Sequence, residues 1–338
     1  MTKRVIIIGG GVAGMTAAAS LAEMGFGVHI LDREGQTGGH VRQWDRLFPS
    51  RRKSDEVTEF LEQGLKDVNA IYRAEVTDIK KNGEFIVTLG DSHEVRGDAV
   101  LLATGYDLFD AFKKEEYGYG IYDNVITSAE LEQMFREGVK PLFHDQPPRR
   151  VAFVHCVGSR DEKAGNLYCS KVCCVTGVKQ AIEVRELFPG AEIFNFYMDL
   201  RMFDRHFEEM YYEAQREYGI NFIRGRVSEC AENSDGSIVV KVEDTLTARP
   251  MKITVDLLVL LVGMVPSAGT AKLAEMLGLP AGDDRFLLPA DEHTLANTTA
   301  TDGVFLAGAV KGPACIATTI ADGRAAALQI AAWLNNKH

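Results

Sequence analysis

The 338-residue chain lacks any apolar run approaching the length of a membrane span, which needs about 20 such residues. It also lacks a basic excess. Lys and Arg number 37 against 48 Asp and Glu, a net charge of −11, so a nucleic-acid partner is not expected on grounds of repulsion. The amino terminus shows no apolar segment with a small-residue cleavage site. Met1-Thr2-Lys3-Arg4 leads directly into the β-branched run Val5-Ile6-Ile7-Ile8, so no leader and a cytoplasmic location are expected. Neither repeats nor low-complexity segments occur. Cysteines are few, six in all, and in a reducing compartment they are not expected to form a disulfide framework. The length implies one large or two medium domains, and 46% hydrophobic residues suffice for a sizeable core.

Four of the six cysteines are concentrated in one stretch. Cys156, Cys169, Cys173 and Cys174 follow the pattern C-x12-C-x3-C-C, whereas Cys230 and Cys315 stand alone. Thiolates are soft ligands that suit zinc and iron–sulfur clusters. Zinc sites usually place their ligands as two C-x2-4-C pairs, which the adjacent Cys173 and Cys174 fit poorly. The spacing matches neither the bacterial nor the plant ferredoxin run. From the residues alone an iron–sulfur cluster, a four-cysteine zinc site and a set of buried structural thiols all remain open. The helix expected over 172–188 would bring its positive end to Cys173, favouring an anionic group there.

The amino-terminal run is a buried parallel strand. It is followed by Gly9-Gly10-Gly11-Val12-Ala13-Gly14 and an Ala-rich helix over 15–23. This is G-x-G-x-x-G in the strand–turn–helix setting that gives the motif its meaning. Gly9 makes the turn, Gly11 admits a pyrophosphate, and Gly14 lets helix and strand pack closely. Amides at the helix start, Val12 and Ala13 among them, face the phosphates. A second strand, 27–31, ends at Asp32, placed to accept from an adenosine ribose, with Arg33 beside it. Dinucleotide binding is the reading. Further strands are expected over 98–103, 151–155, 191–197, 221–224, 236–242 and, as one run, 251–261. A hairpin is expected over 70–89 and helices over 204–218 and 314–334. In the helix over 204–218, Phe207, Met210, Tyr211 and Tyr218 lie at core spacing. After the strand at 151–155 no second glycine motif appears; Cys156 stands in its place. Direct NAD(P)H binding in that half is therefore not expected.

Gly38-Gly39-His40, Ala103-Thr104-Gly105 and Gly303-Val304-Phe305-Leu306-Ala307-Gly308-Ala309, together with the first motif and Asp32, resemble the two-dinucleotide-binding flavoprotein superfamily that includes thioredoxin reductase. That resemblance implies an α/β fold with a Rossmann-type FAD domain into which a second α/β domain is inserted. The expected segments are 1–112 and 266–338 for the FAD domain, 113–148 for a linker or loop region, and 149–265 for a domain resembling an NAD domain that carries the cysteines. By the same resemblance Gly38, Gly39, His40, Val76 in the hairpin, Ala103, Thr104, Gly105, Gly308, Ala309, Lys311, Cys315 and Ile316 are expected near FAD. Arg42 follows the same motifs. Many members have Asp where this chain has Ala309.

The stretches Cys156-Val-Gly-Ser-Arg-Asp-Glu and Tyr168-Cys-Ser-Lys-Val-Cys-Cys resemble heterodisulfide reductase, specifically its flavin-binding A component, and the bacterial relatives of that protein. So does Ala307-Gly-Ala-Val-Lys-Gly-Pro313. In that family the matching cysteines hold a [4Fe–4S] cluster beside FAD. The resemblance implies a homodimeric electron-transfer flavoprotein that works with the other subunits of a complex. This chain lacks the ferredoxin-type C-x2-C-x2-C-x3-C runs of longer members and the C-x-x-C pair of flavoprotein disulfide reductases. It reads Ser50-Arg51-Arg52-Lys53 where members often have a cysteine. The short form is most similar to the bacterial heterodisulfide-reductase-like type of sulfur oxidation, which implies a sulfur compound carried on a lipoate-bearing protein. A zinc-stapled flavin scaffold and a stand-alone NAD(P)H oxidoreductase are the competing functions.

Overall fold

The computed structural model describes residues 2–336. The chain divides into two units. One comprises the stretch through Arg42, Ser54–Asp107 and the chain from Val265 onward; the other comprises Gln43–Lys53 and Leu108–Met264. Among the described residues no helix is long and apolar enough to cross a membrane.

The first unit is built on five parallel strands in the order Val304–Leu306, Ala99–Leu102, Arg4–Ile8, Gly27–Leu31, Asn69–Ile71. Side chains alternate across the central strand Arg4–Ile8. Val5 and Ile7 face a core with Ala13, Ala17 and Leu21 of the helix Val12–Glu23 and Ala326, Ala327 and Ile330 of the helix Ile316–Asn336. Ile6 and Ile8 face Phe85, Val87 and Val95 on the antiparallel strands Glu84–Leu89 and Glu94–Gly97. The unit is thus three layers deep, and each fully buried Ile contributes on the order of 2 kcal/mol. Residues 70–89 do not form one hairpin. Asn69–Ile71 joins the parallel sheet, and the hairpin is Val76–Asn82 with Glu84–Leu89 around Gly83.

The second unit repeats the pattern with five parallel strands in the order Val125–Thr127, Leu257–Val262, Arg150–Val157, Glu192–Tyr197, Asn221–Arg224. Val151 and Phe153 of its central strand pack on Val175, Val178 and Ile182 of the helix Cys173–Leu187. Phe207 and Met210 of the helix Phe207–Arg216 enter the same core. Two expectations change here. The run over 251–261 is two strands, Arg249–Val255 and Leu257–Val262. The break falls at Asp256, whose carboxylate accepts from the backbone N–H groups of Arg149 (2.6 Å) and Arg150 (3.1 Å). The stretch 113–148 is more than loop: it holds the strand Val125–Thr127 and the helix Ser128–Glu137. That helix opens with a capping box in which Thr127 and Glu130 satisfy each other's backbone N–H groups, as the order Thr-x-x-Glu specifies.

The cysteine-bearing helix also holds a buried ionic cluster. Lys179 meets Glu132 and, at 3.2 Å, Glu183, and it donates to the Arg46 carbonyl at 2.8 Å. Glu183 forms no well-aligned hydrogen bond, and burial pushes its pKa up to about 7 against the pull of Lys179. A carboxyl whose folded pKa is raised stabilises the fold most below its unfolded value near 4.5, and that contribution disappears as pH rises through 7. Glu183→Gln is therefore expected to stabilise the protein above pH 7 by roughly 1–3 kcal/mol. Its unfolding midpoint should then vary less between pH 5 and 8 than that of the parent, as thermal melts across that range would show.

Candidate functional site

Two sites emerge, one in each unit. In the first, the chain leaves the central strand at Gly9, with φ +109 and its N–H donated to the Leu31 carbonyl at 2.8 Å. A Cβ at Gly9 would lie 2.3 Å from the Ala103 carbonyl oxygen, and one at Gly14 would lie 1.9 Å from the Gly9 oxygen. Both positions therefore need glycine for close backbone approach. Gly11 differs, since nothing lies within 4 Å of where its Cβ would be. It precedes the helix Val12–Glu23, whose first turn has neither a side-chain cap nor an acidic residue. An open cradle beneath uncapped helix amides suits a phosphate. Val12 and Ala13 are buried in that first turn.

Asp32 is buried beside this turn. One oxygen accepts from the Gly10 N–H at 2.6 Å and the other from the Glu34 N–H at 2.8 Å, and a carboxylate has lone pairs left for a ribose hydroxyl. Gly38 donates to the Gly10 carbonyl at 2.8 Å, and the Cα of Gly11 lies 3.2 Å from where a Cβ on Gly39 would be. The second glycine pair thus closes on the first. The His40 Nε2–H donates to the Tyr106 carbonyl at 2.8 Å, and the two rings stack at 4.5 Å. Ala103 follows the strand Ala99–Leu102 and donates to the Ile8 carbonyl at 2.8 Å. Thr104 hydrogen-bonds Thr270 at 2.9 Å, and Gly105 has φ +69.

Several residues expected near the nucleotide have partners within the fold. Arg33 is exposed and pairs with Asp107 at 3.2 Å, Arg42 donates to the Thr37 carbonyl at 2.8 Å, and Val76 is half-buried at the start of the antiparallel hairpin. Lys311 is held by Asp322 and the Ala296 carbonyl, both at 2.8 Å, which occupies its ammonium within the fold. Asp322, which belongs to no motif in the sequence, also accepts from the Gly308 N–H at 2.6 Å and from Asn297 at 2.8 Å. It shapes the turn at Gly308 and buried Ala309. Cys315 is half-buried, 3.2 Å from the Thr318 hydroxyl, with Ile316 opening the last helix.

In the second unit the four expected cysteines gather at the carboxyl end of the central strand. The register against Leu257–Val262 shifts between Val154 and Val157, the mark of a bulge, which re-aims a side chain. Cys156 within it is left-handed, with φ +59, and Arg160 and Lys171 in the same loop have φ 54 and 60. Non-glycine residues hold this conformation only when their surroundings enforce it. Here the enforcement is dense. Asp161 accepts from the buried Lys114 at 2.7 Å and from Arg226 at 3.0 Å. Asn166 donates to the Gly158 carbonyl at 2.9 Å, and Ser159 to the Tyr168 carbonyl at 3.0 Å. Ser170 bonds Ser159 and accepts from the Met264 N–H at 2.9 Å. The pairing of Lys114 with Asp161 had no local signal in the sequence, because the two lie 47 residues apart.

Cys156, Cys173 and Cys174 are buried and Cys169 half-buried. The Lys171 N–H donates to the Cys169 sulfur at 3.3 Å, and the Cys174 thiol approaches the Asp199 carbonyl at 3.6 Å. Burial pushes the Cys156 thiol up to about 12, with Cys174 and Cys169 adding to it and Arg160 partly offsetting it. Burial and then the other three thiols push Cys173 well above its ordinary value. Cys174 is raised by burial and Cys169. The thiols thus lie within electrostatic reach of one another. Cys173 and Cys174 occupy the first turn of the helix Cys173–Leu187, which has no side-chain cap. Among the described residues, however, no group of three or more His, Cys, Asp or Glu side chains is arranged to hold a metal ion. Cys230 lies apart, half-buried on the antiparallel strand Val227–Glu232.

Residues 7–60 match the NAD(P)-binding Rossmann-like domain family, and residues 174–331 match the pyridine nucleotide-disulphide oxidoreductase family. Among solved structures, the thioredoxin reductase of T. acidophilum aligns with a TM-score of 0.69 at 19% identity, covering 99% of this chain and 100% of that one. The thioredoxin reductase of Lactococcus lactis gives 0.69 at 21%, covering 99% of each. The fold is therefore the two-domain, Rossmann-type α/β fold of flavoprotein oxidoreductases. Among curated proteins, one of the iron-sulfur A-type subunits of the CoB--CoM heterodisulfide reductase of Methanopyrus kandleri is 32% identical over 99% of this chain and 65% of its own length. The A-type component of the H(2):CoB-CoM heterodisulfide,ferredoxin reductase of Methanothermobacter thermautotrophicus is 31% identical over 97% of this chain and 63% of its own length. The chain thus spans somewhat under two thirds of these relatives, and over nearly all of its own length it is a homologue of the A-type subunits of heterodisulfide reductase.

Proposed function

We propose that this chain is the FAD- and [4Fe–4S]-containing electron-transfer subunit of a heterodisulfide-reductase-like complex. The observation that carries the reading is the position of the cysteines. Cys156 is the last residue but one of the central parallel strand, and Cys173 and Cys174 open the next helix. A nucleotide-binding unit puts its phosphate-cradling turn at that place. A single zinc ion would need all four sulfurs about 2.3 Å from one point. Soft thiolate donors also suit a group that brings its own iron and sulfide.

Gly9, Gly11, Val12, Ala13 and Gly14 would hold the FAD pyrophosphate and Asp32 its ribose, with Thr104, Gly105, Gly308 and Ala309 lining the remainder. Cys156, Cys169, Cys173 and Cys174 would hold the cluster. When bound, FAD exchanges two electrons and the cluster one at a time, which suits the pair to conduct electrons rather than to take hydride from a nicotinamide. The protein's part is to fix both groups. The buried thiols must lose their protons when iron enters, so loading is favoured by higher pH. The unclaimed amino end of the helix Cys173–Leu187 favours the resulting negative charge. Its partners in this proposal are further subunits of the complex, which the names of the relatives support, and a second copy of this chain. The proposal extends to sulfur-compound oxidation in the cytoplasm, with a lipoate-carrying protein among the partners.

The reading is tested with anaerobically purified protein. It should be brown, with broad visible absorption beyond the flavin bands, and NADH alone should leave the flavin oxidised over minutes. Rapid bleaching by NADH without partners would favour a stand-alone oxidoreductase. Yellow protein holding zinc and no iron would favour a flavin-binding scaffold.

A further inference from the structure

The cysteine loop carries a cation whose role the proposed function leaves open. Arg160 lies four residues after Cys156, in a left-handed conformation with φ 54. Its Nη2 donates to a carboxylate oxygen of Asp199 at 2.8 Å. Asp199 is braced in turn by Arg224 at 3.4 Å, and its backbone carbonyl lies 3.6 Å from the Cys174 sulfur. The other terminal nitrogen, Nη1, is buried and makes no well-aligned hydrogen bond, while the guanidinium interacts with the Cys156 thiol. A buried guanidinium N–H without an acceptor is costly, and native structures rarely leave one. The groups that feel the Arg160 charge, apart from Asp199, are sulfurs: Cys156, Cys169 and Cys174. One end of the guanidinium is thus clamped, and the other end belongs among the thiols.

We infer that Arg160 is a positioning residue for the iron–sulfur cluster, its buried Nη1–H directed at a cluster sulfur so that it sets the reduction potential. This inference rests on the proposed reading of the four cysteines as cluster ligands. A reduced cluster carries one more negative charge than an oxidised one. A fixed positive charge and an N–H donor at the sulfur therefore stabilise the reduced state and raise the potential. Asp199 holds the guanidinium plane, so the donor is set before the cluster binds. Lysine would supply charge without the fork that serves Asp199 and a sulfur together.

The test uses the full chain, loaded with iron and sulfide anaerobically, as wild type, Arg160→Met and Arg160→Gln. Iron and FAD per chain are measured first, then the cluster midpoint potential by a redox titration followed by electron paramagnetic resonance. Arg160→Met is expected to keep its iron and FAD while its cluster is about tenfold harder to reduce, a fall of about 59 mV for one electron. Arg160→Gln, which keeps a donor without the charge, should fall between the two. Full iron with an unchanged potential in either variant would overturn the inference. If Arg160→Met loses its iron, Arg160→Gln decides on the same criterion. Loss of iron from both, with FAD and circular dichroism intact, would make Arg160 a structural clamp and overturn the tuning role. Wild-type protein that takes up no iron would instead overturn the reading of the cysteines.

Discussion

Alanine at Gly14 is expected to abolish FAD binding while the cysteine-bearing unit still folds. The added Cβ would fall 1.9 Å from the Gly9 oxygen and 3.1 Å from its carbonyl carbon. That is backbone, which cannot swing away as a side chain would. The first helix would have to lift from the central strand, opening the cradle at Gly11 and disturbing the buried Val12 and Ala13. Overpacking of this kind costs about 3 kcal/mol or more. FAD affinity should fall by at least about 100-fold, equivalent to roughly 2.7 kcal/mol. Fluorescence titration of FAD into apoprotein measures this directly. Gly190→Ala provides the control, since a Cβ there would meet nothing within 4 Å, and it should bind FAD as the parent does. A Gly14→Ala protein with parental affinity would show that the turn is not the phosphate cradle.

Serine at Cys173 is expected to remove the iron and leave the FAD. Cys173 is buried, opens its helix, and packs in the core of the second unit with Val175 and Phe153. A serine hydroxyl is smaller and harder than a thiolate and, in this buried position, a poor ligand for iron. Iron per chain should drop by about tenfold or more, in line with losses seen when metal-site residues are removed. FAD should stay near the parental ratio, because the nucleotide residues belong to the other unit. Iron and flavin assays on the same sample decide the outcome. Loss of both together would mean that the two sites are not independent, and retention of iron would remove Cys173 from the ligand set.

Much of this was legible in the sequence where a requirement is local. The glycine turn is one example, because the contact between Gly14 and Gly9 depends on backbone alone and only glycine permits it. The cysteine cluster is another, since its spacing and the absence of a glycine turn after the strand are both visible in one stretch. Less was legible where structure depends on partners distant in the chain. Lys114 reaches Asp161 across 47 residues, and Asp322 holds Lys311, Gly308 and Asn297 from a helix face. Nothing near either residue in sequence announces those pairs. Lys311 is a further case, its ammonium held by Asp322 and the Ala296 carbonyl, partners that its motif does not announce. The helix Ser128–Glu137 lay within a stretch expected to be linker or loop, although the order Thr127-x-x-Glu130 marks its start. Asp256 divided one apolar run into two strands through its side chain, which strand periodicity does not register.

The most direct test is the composition of the protein purified without oxygen: iron, acid-labile sulfide, zinc and flavin per chain. The account predicts about four iron and four sulfide with one FAD. One zinc per chain with no iron, or thiols that all titrate as free in protein never exposed to oxygen or chelator, would contradict it.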